Sequence, residues 1–310
     1  MKTKYVVGID IGGTNTAIGL VDRNGNLIGE EYLRTGDYEN PEKFVQDISA
    51  CIHKFAGSNV VHGIGIGAPN GNYYNGTIEY AANLKWKGVV ELKKLFQQYF
   101  SCPIYVTNDA NAAAIGEMVF GGARGMKNFS VITLGTGLGS GIVVDGKVLY
   151  GHDGFAGEFG HIIYDYNGRP CGCGRKGCLE TYASAGGIRA TYLEIASKRG
   201  IAIDAAITSK NIHEKALANE DIALETFEFT ALVLGRKLAD LVAIFSPEAI
   251  FLFGGPVKSG HLLMDPLRKY FEATLLEVFK NKVKLEISSL MHKNAAILGA
   301  AALVFGEEKL

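Results

Sequence analysis

The chain opens on a short apolar run, Tyr5-Val6-Val7-Gly8-Ile9, and from there its pattern alternates between two rhythms. Residues 4–9 predict a strand, closed by a glycine turn at Gly12-Gly13. Residues 17–21 predict a second strand, which ends in the turn signal Asp22-Arg23-Asn24-Gly25-Asn26. Leu27-Ile28-Gly29-Glu30 predicts a third, giving a β-hairpin meander with a phosphate-sized turn in it. Between 41 and 55, Phe44, Ile48, Ile52 and Phe55 recur at helical spacing. Residues 60–67 predict a strand that ends in Ala68-Pro69-Asn70-Gly71. Residues 91–100 predict a helix with Leu92, Leu95, Phe96 and Tyr99 on one side, and 104–107 a strand ending at Asn108-Asp109. Strands alternating with helices predict a largely parallel α/β sheet.

A second α/β region follows. Residues 130–134 predict a strand, turned by Gly135-Thr136-Gly137-Leu138-Gly139. Residues 141–144 and 147–150 flank Asp145-Gly146 as another hairpin. Residues 189–245 read as helical, with Leu234, Leu238, Leu241 and Phe245 on one face before Pro247 stops the helix. Strands are expected at 249–253, ending in Gly254-Gly255, and at 283–287, and an alanine-rich helix at 295–305. Each half thus opens on a strand, a glycine turn and a strand, which predicts a duplicated topology without a visible sequence repeat.

Composition narrows the function classes. Lys+Arg is 31 and Asp+Glu 32, a net charge of −1, so nothing electrostatic points to nucleic acid or an anionic membrane. The first apolar run meets Asp10 too early for a signal peptide, and 295–305 is too short to span a bilayer, so a cytoplasmic protein is expected. Of five cysteines, Cys171, Cys173 and Cys178 fall within eight residues; in a reducing compartment that clustering favours metal over disulfide.

Two loops fit phosphate. In Asp10-Ile11-Gly12-Gly13-Thr14-Asn15, glycines let backbone N–H groups face phosphate oxygens, Thr14 adds a hydroxyl, and Asp10 fits Mg2+ held through water. A plain glycine turn fits the same residues. Thr133-Leu134-Gly135-Thr136-Gly137 repeats the chemistry, and the pair together says more than either alone. Gly254-Gly255 fits an adenine laid against backbone, or a tight turn. Gly172-Cys173-Gly174-Arg175-Lys176-Gly177 matches a dinucleotide fingerprint, but no strand leads in and no helix opens from it.

His161 with Cys171, Cys173 and Cys178 is a closed tetrahedral set for structural Zn2+, with Arg169, Arg175 and Lys176 placed to balance its net negative charge. Asp109 stands where a strand passes into a helix, at the carboxyl end of a sheet. A catalytic base for a hydroxyl and a helix N-cap are both open to it there. Glu158 and Glu180 flank the metal stretch, and two carboxylates with an imidazole suit a hydroxyl-rich sugar.

These residues together resemble the ROK family of sugar kinases, within the actin/hexokinase/Hsp70 ATPase superfamily. The resemblance covers nearly the whole chain. It rests on Asp10-Ile11-Gly12-Gly13-Thr14, on Asn83-Leu84-Lys85-Trp86, and on the run from Asn108-Asp109 to Glu117. It also rests on Leu134 to Gly141, on the metal stretch from Glu158 to Glu180, and on residues 294–301. It implies an α/β fold of two ribonuclease H-like (actin-like ATPase) lobes with a central cleft and a small zinc-bound loop. The expected lobes are 1–108, completed by 295–310, and 109–294, which carries the zinc loop 161–178. It implies Asp109 as catalytic base, and Asn83, Asn108, Glu158, His161 and Glu180 as the sugar set, His161 serving zinc and sugar through different ring nitrogens. Asp10, Gly12, Gly13, Thr14, Thr133, Gly135, Thr136 and Gly137 would meet ATP phosphates and Mg2+, and Gly254 and Gly255 the nucleoside. Lobe closure over sugar and a homodimer are implied as well. Asn15 stands where many relatives carry lysine, residues 71–76 lack a common proline-glycine-valine pattern, and Gly254-Gly255-Pro256 replaces a fuller glycine run.

The expected reaction is transfer of phosphate from ATP to glucose. N-acetylmannosamine, N-acetylglucosamine, fructose and allose are the alternatives within the family. A non-catalytic sugar sensor is a more distant one; the family's repressors carry an N-terminal DNA-binding domain, for which a first strand at Tyr5 leaves no room.

Overall fold

The computed structural model describes residues 4–291 and 294–307. β1 (Tyr5–Ile11), β2 (Thr16–Asp22) and β3 (Leu27–Leu33) form an antiparallel meander. α1 (Pro41–Ala56) starts on Asn40, whose side chain accepts the Lys43 N–H, with Pro41 in the first turn where its missing donor does no harm. Its apolar face, Phe44, Val45, Ile48 and Ile52, is fully buried. β4 (Val61–Gly67) follows, then three short strands that make a separate small sheet, β5 (Gly71–Asn72), β6 (Thr77–Glu79) and β7 (Val89–Val90). α2 (Leu92–Phe96), β8 (Ile104–Thr107) and α3 (Asp109–Phe120) complete the first half.

The second half contains β9 (Phe129–Leu134), β10 (Leu138–Val144) and β11 (Lys147–Val148). The helices α4 (Glu180–Ala183), α5 (Ala185–Lys198), α6 (Ser209–Leu217) and α7 (Asp221–Phe245) come next, then β12 (Ala249–Gly254), α8 (His261–Thr274), β13 (Lys284–Ile287) and α9 (Ala295–Glu307). The expected helical stretch 189–245 is therefore three helices. Gly200, at φ +68°, closes the turn after α5, Asn219, at φ +60°, follows α6, and a reciprocal Thr208–Asn211 box starts α6. The second predicted helix is shorter than expected, ending at Phe96. α8 has no counterpart among the predicted elements.

The duplicated topology is present in the strand orders, β3-β2-β1-β4-β8 and β11-β10-β9-β12-β13. In the first sheet the outer pairs β1–β2 and β2–β3 are antiparallel, while β1–β4 and β4–β8 are parallel. In the second, β10–β11 is antiparallel, and β9–β12 and β12–β13 are parallel. The sheets are thus mixed: the expected meander and second hairpin are antiparallel, and the parallel pairing expected where strands alternate with helices is found in β1–β4–β8 and β9–β12–β13.

Two compact units emerge. One draws on residues 4–126, 141–157 and 288–307, the other on 127–140 and 158–287. This division differs from an expected boundary at 108/109, because α3 packs on α9 in the first unit. Residues 1–3 and 308–310 of the expected first lobe lie outside the described residues. The alanine-rich composition of α9 has a steric cause. A β-carbon at Gly8 of β1 or Gly65 of β4 would run into the carbonyl of Ile297 or Ala300, so helix and sheet meet backbone to backbone. No helix among the described residues is long and apolar enough to cross a membrane.

Candidate active site

The functional residues fall into two groups, one on each unit. In the first unit, β1, β4 and β8 lie side by side, with Asp10 opposite Gly67 and Gly67 opposite Thr107. Asp109 follows two residues after Thr107, as the first residue of α3. Asp10 lies inside β1, one residue before its end. The cap question is resolved by the neighbouring residue. Asn108 Oδ1 accepts the Asn111 N–H at 2.7 Å, so Asn108 is the N-cap of α3. Asp109 Oδ1 accepts the N–H of Ala110 at 2.8 Å.

The surroundings raise the proton affinity of both carboxylates. Burial, and secondly the charge of Asp109, push Asp10 up to about 7. Asp109 is accessible at its surface, yet dense protein around it desolvates the carboxylate and raises its pKa, against the lowering effect of the Ala110 N–H. The Asp10 carboxylate offers hard oxygen ligands, which fit Mg2+.

The glycine turn sits directly beyond. Gly12 N–H donates to Asn15 O at 3.0 Å. Thr14 is exposed. Gly13 must lack a side chain, because a β-carbon there would stand 2.7 Å from the Asn83 carbonyl oxygen. Asn83 is brought to the turn by its neighbours. Leu84 and Trp86 are buried, the indole N–H of Trp86 donates to Tyr38 O at 3.1 Å, and Trp86 packs on Phe44, leaving Asn83 exposed. Asp10, Gly12, Gly13, Thr14, Asn83, Asn108 and Asp109 therefore gather on one unit.

In the second unit, Thr133 lies one residue before the end of β9 beside Phe253 of β12, and Gly254 pairs with Leu134. Gly255 opens the short turn Gly255–Ser259. The loop after β9 closes with Gly135 N–H on Gly137 O at 2.9 Å, leaving Gly135 and Thr136 exposed. His161, Cys171, Cys173 and Cys178 each offer a ligand atom, all within 4.8 Å of one another. Cys173 and Cys178 sulfurs are 3.6 Å apart, and Cys171 Sγ is 3.7 Å from His161 Nδ1. Ligand atoms around a tetrahedral Zn2+ lie about 3.5–3.8 Å apart, so the donor set fits zinc in both chemistry and spacing. With Nδ1 on the sulfur side, Nε2 of His161 faces Glu158 Oε2 at 3.9 Å.

The knuckle is anchored from outside. Arg169 forms a bidentate pair with Glu194, at 2.8 and 2.7 Å, and stacks 4.4 Å over the Tyr182 ring. Its charge is thus directed at Glu194, whereas Arg175 donates to His161 O at 2.7 Å, beside the ligands. Glu180 opens α4, with Oε1 3.0 Å from Cys171 Sγ and 3.7 Å from His161 Nδ1. Thr133, Gly135, Thr136, Gly137, Glu158, His161 and Glu180 thus share the second unit with Gly254 and Gly255.

Sequence reasoning missed the support for the 151–154 loop. Asn72 donates to Asp153 O at 2.8 Å, Tyr74 donates to Gly151 O at 2.8 Å, and Tyr73 stacks on Tyr150 at 4.1 Å. Strands as short as β5 and β6 leave no periodic signal, though Asn72-Tyr73-Tyr74 within a departing segment was a visible sign.

The pattern of the ROK family matches residues 6–307. A glucokinase of Halalkalibacterium halodurans is 34% identical over 323 aligned positions, 99% of this chain and 97% of that protein. A solved ROK family glucokinase from Streptomyces griseus, in complex with glucose and AMPPNP, superposes with a TM-score of 0.81 at 34% identity, covering 96% of this chain and 98% of that one. A xylose repressor of Caldicellulosiruptor bescii is 32% identical over 97% of this chain but 78% of the repressor.

Proposed function

Because this chain belongs to the ROK family, we propose that it is a glucokinase-type hexose kinase, which transfers the γ-phosphate of ATP to a hydroxyl of glucose. The observation that carries the reading is Asp109. A binding protein has no use for a desolvated carboxylate whose capping duty is taken by its neighbour, whereas a kinase needs one that accepts the proton of the attacking hydroxyl. Glucokinases similar to this chain over nearly its full length support the substrate class.

In this reading Asn83, Asn108, Glu158, His161 and Glu180 hold the sugar hydroxyls and aim one, the 6-hydroxyl of an aldohexose, at the phosphorus. Asp109 takes its proton as the oxygen attacks, and ADP leaves. Gly12, Gly13, Thr14, Thr133, Gly135, Thr136 and Gly137 supply N–H and O–H donors to the phosphates, and Gly254 and Gly255 give room to the nucleoside. Asp10 would hold Mg2+, which neutralises phosphate charge when bound. His161, Cys171, Cys173 and Cys178 would hold Zn2+, whose closed coordination supplies order. The cytoplasm, with ATP and reduced thiols, is the compartment this chemistry requires, and a homodimer is the assembly we assign.

Measuring ADP release with Mg-ATP against glucose, mannose, fructose, allose, N-acetylglucosamine and N-acetylmannosamine tests this. Glucose is expected to give the highest kcat/KM. Preference for an N-acetyl sugar would keep the residue roles and move the specificity; sugar binding without turnover on any of them would make the chain a sensor.

A further inference from the structure

The carboxylate of Glu180 has two ends in different places. Oε1 lies on the metal-ligand side, against Cys171 Sγ and His161 Nδ1. Oε2 lies on the glycine loop after β9, where the Leu138 N–H donates to it at 3.4 Å. Gly137 is shaped around this contact, since a β-carbon there would stand 2.7 Å from Oε2. Two further ties run between the same segments. Ala185 N–H, just past α4, donates to Gly135 O at 2.9 Å, and Gly160 lacks the β-carbon that would strike Leu138 O. The loop and the knuckle are therefore held together at Gly135, Gly137 and Leu138, and Glu180 is the side chain that spans them.

From this we infer that Glu180 is a positioning residue for the nucleotide phosphates, through which the metal knuckle sets the geometry of the Gly135–Gly139 loop. The inference rests on the reading of that loop as a phosphate site. It goes beyond a sugar-binding role, which would leave the nucleotide untouched when sugar is absent. A loop whose N–H groups must converge on phosphate gains affinity from being fixed beforehand. Loss of the metal frees the knuckle, and Glu180 then no longer holds Leu138.

The test is calorimetric titration of Mg-AMPPNP into sugar-free protein, in four forms: wild type and Glu180→Ala, each metal-loaded and chelator-stripped. Stripping is expected to weaken AMPPNP binding by wild type roughly tenfold. Glu180→Ala with its metal retained is expected to show a similar loss, and stripping it should add little, because both changes cut one connection. Full, independent losses in the variant, or AMPPNP affinity that ignores both changes while glucose affinity falls, would overturn the inference and leave the kinase reading intact. No AMPPNP binding by loaded wild type would overturn both. Should stripped protein unfold by near-UV circular dichroism, the loaded Glu180→Ala protein decides alone: unchanged AMPPNP affinity rejects the coupling.

Discussion

The two units solve opposite electrostatic problems. On the first, Asp10 and Asp109 are anionic groups whose pKa values are raised by desolvation, and that of Asp10 also by its neighbour's charge. On the second, Glu180, His161 and the cysteines meet in contacts of 3.0 to 3.7 Å, while Arg169 pairs with Glu194 at 2.7 Å and His161 faces Glu158 at 3.9 Å. An acceptor of protons must be left under-compensated, or its affinity for the proton disappears. A group that only fixes geometry should be satisfied from every side, since a partly satisfied network destabilises. Chemistry and precision are thus separated along the chain, and each can be damaged alone.

The largest effect should come from the under-compensated side. Asp109→Asn keeps the shape and removes the base, so kcat is expected to fall about 10²–10⁴-fold, with glucose and AMPPNP affinities within a few-fold of wild type. Turnover near the wild-type rate would remove Asp109 from the role. In wild type the active form is the deprotonated one. Since desolvation raises this pKa, kcat/KM should climb with pH through a midpoint above the ordinary aspartate range. An acid limb at the ordinary value would mean that another group governs.

On the satisfied side the damage should be smaller and of another kind. Cys173→Ser removes one of four ligands. Elemental analysis is expected to show zinc lost, and glucose affinity to fall about 10–100-fold as His161 and Glu158 lose their fixed frame. A zinc-free variant that binds glucose as before would cut the link between metal and sugar.

The same contrast explains what could be read from residues alone. β1, β2 and β4 are buried along most of their length, so their near-continuous apolar runs were plain. The metal set was plain because three cysteines and a histidine have few other uses at that spacing. Asp109 was not, since Asn108 and Asp109 both suit a cap and only the Asn111 contact assigns the duty. α8 was hidden although Leu263, Met264, Leu267 and Phe271 bury one face, because Pro266 and the glycines before it read as loop. Glu180 was seen as a sugar ligand, while its hold on Leu138 depends on a fold-back between residues 42 positions apart.

The smallest effect, and the one that separates stability from activity, concerns Asp10. Its carboxyl has a pKa of about 7 in the folded chain against 3.8 for the ordinary group, with burial as the larger cause. The folded state therefore holds a proton that the unfolded state has released across that interval. Stability is present below the lower value and is lost as pH rises through the higher one. Asp10→Asn removes the charge that burial penalises. Without nucleotide or Mg2+, its melting temperature should exceed that of wild type at pH 8 by a few degrees, corresponding to about 1–2 kcal/mol once partial solvent access is allowed for. The gap should close toward pH 4, where both side chains are neutral. Activity should fall in the same variant, since an amide is a poorer ligand for a hard cation than a carboxylate. Equal melting at pH 8 would mean that the Asp10 charge is compensated in the folded protein, and the contrast between the two units would then rest on Asp109 alone.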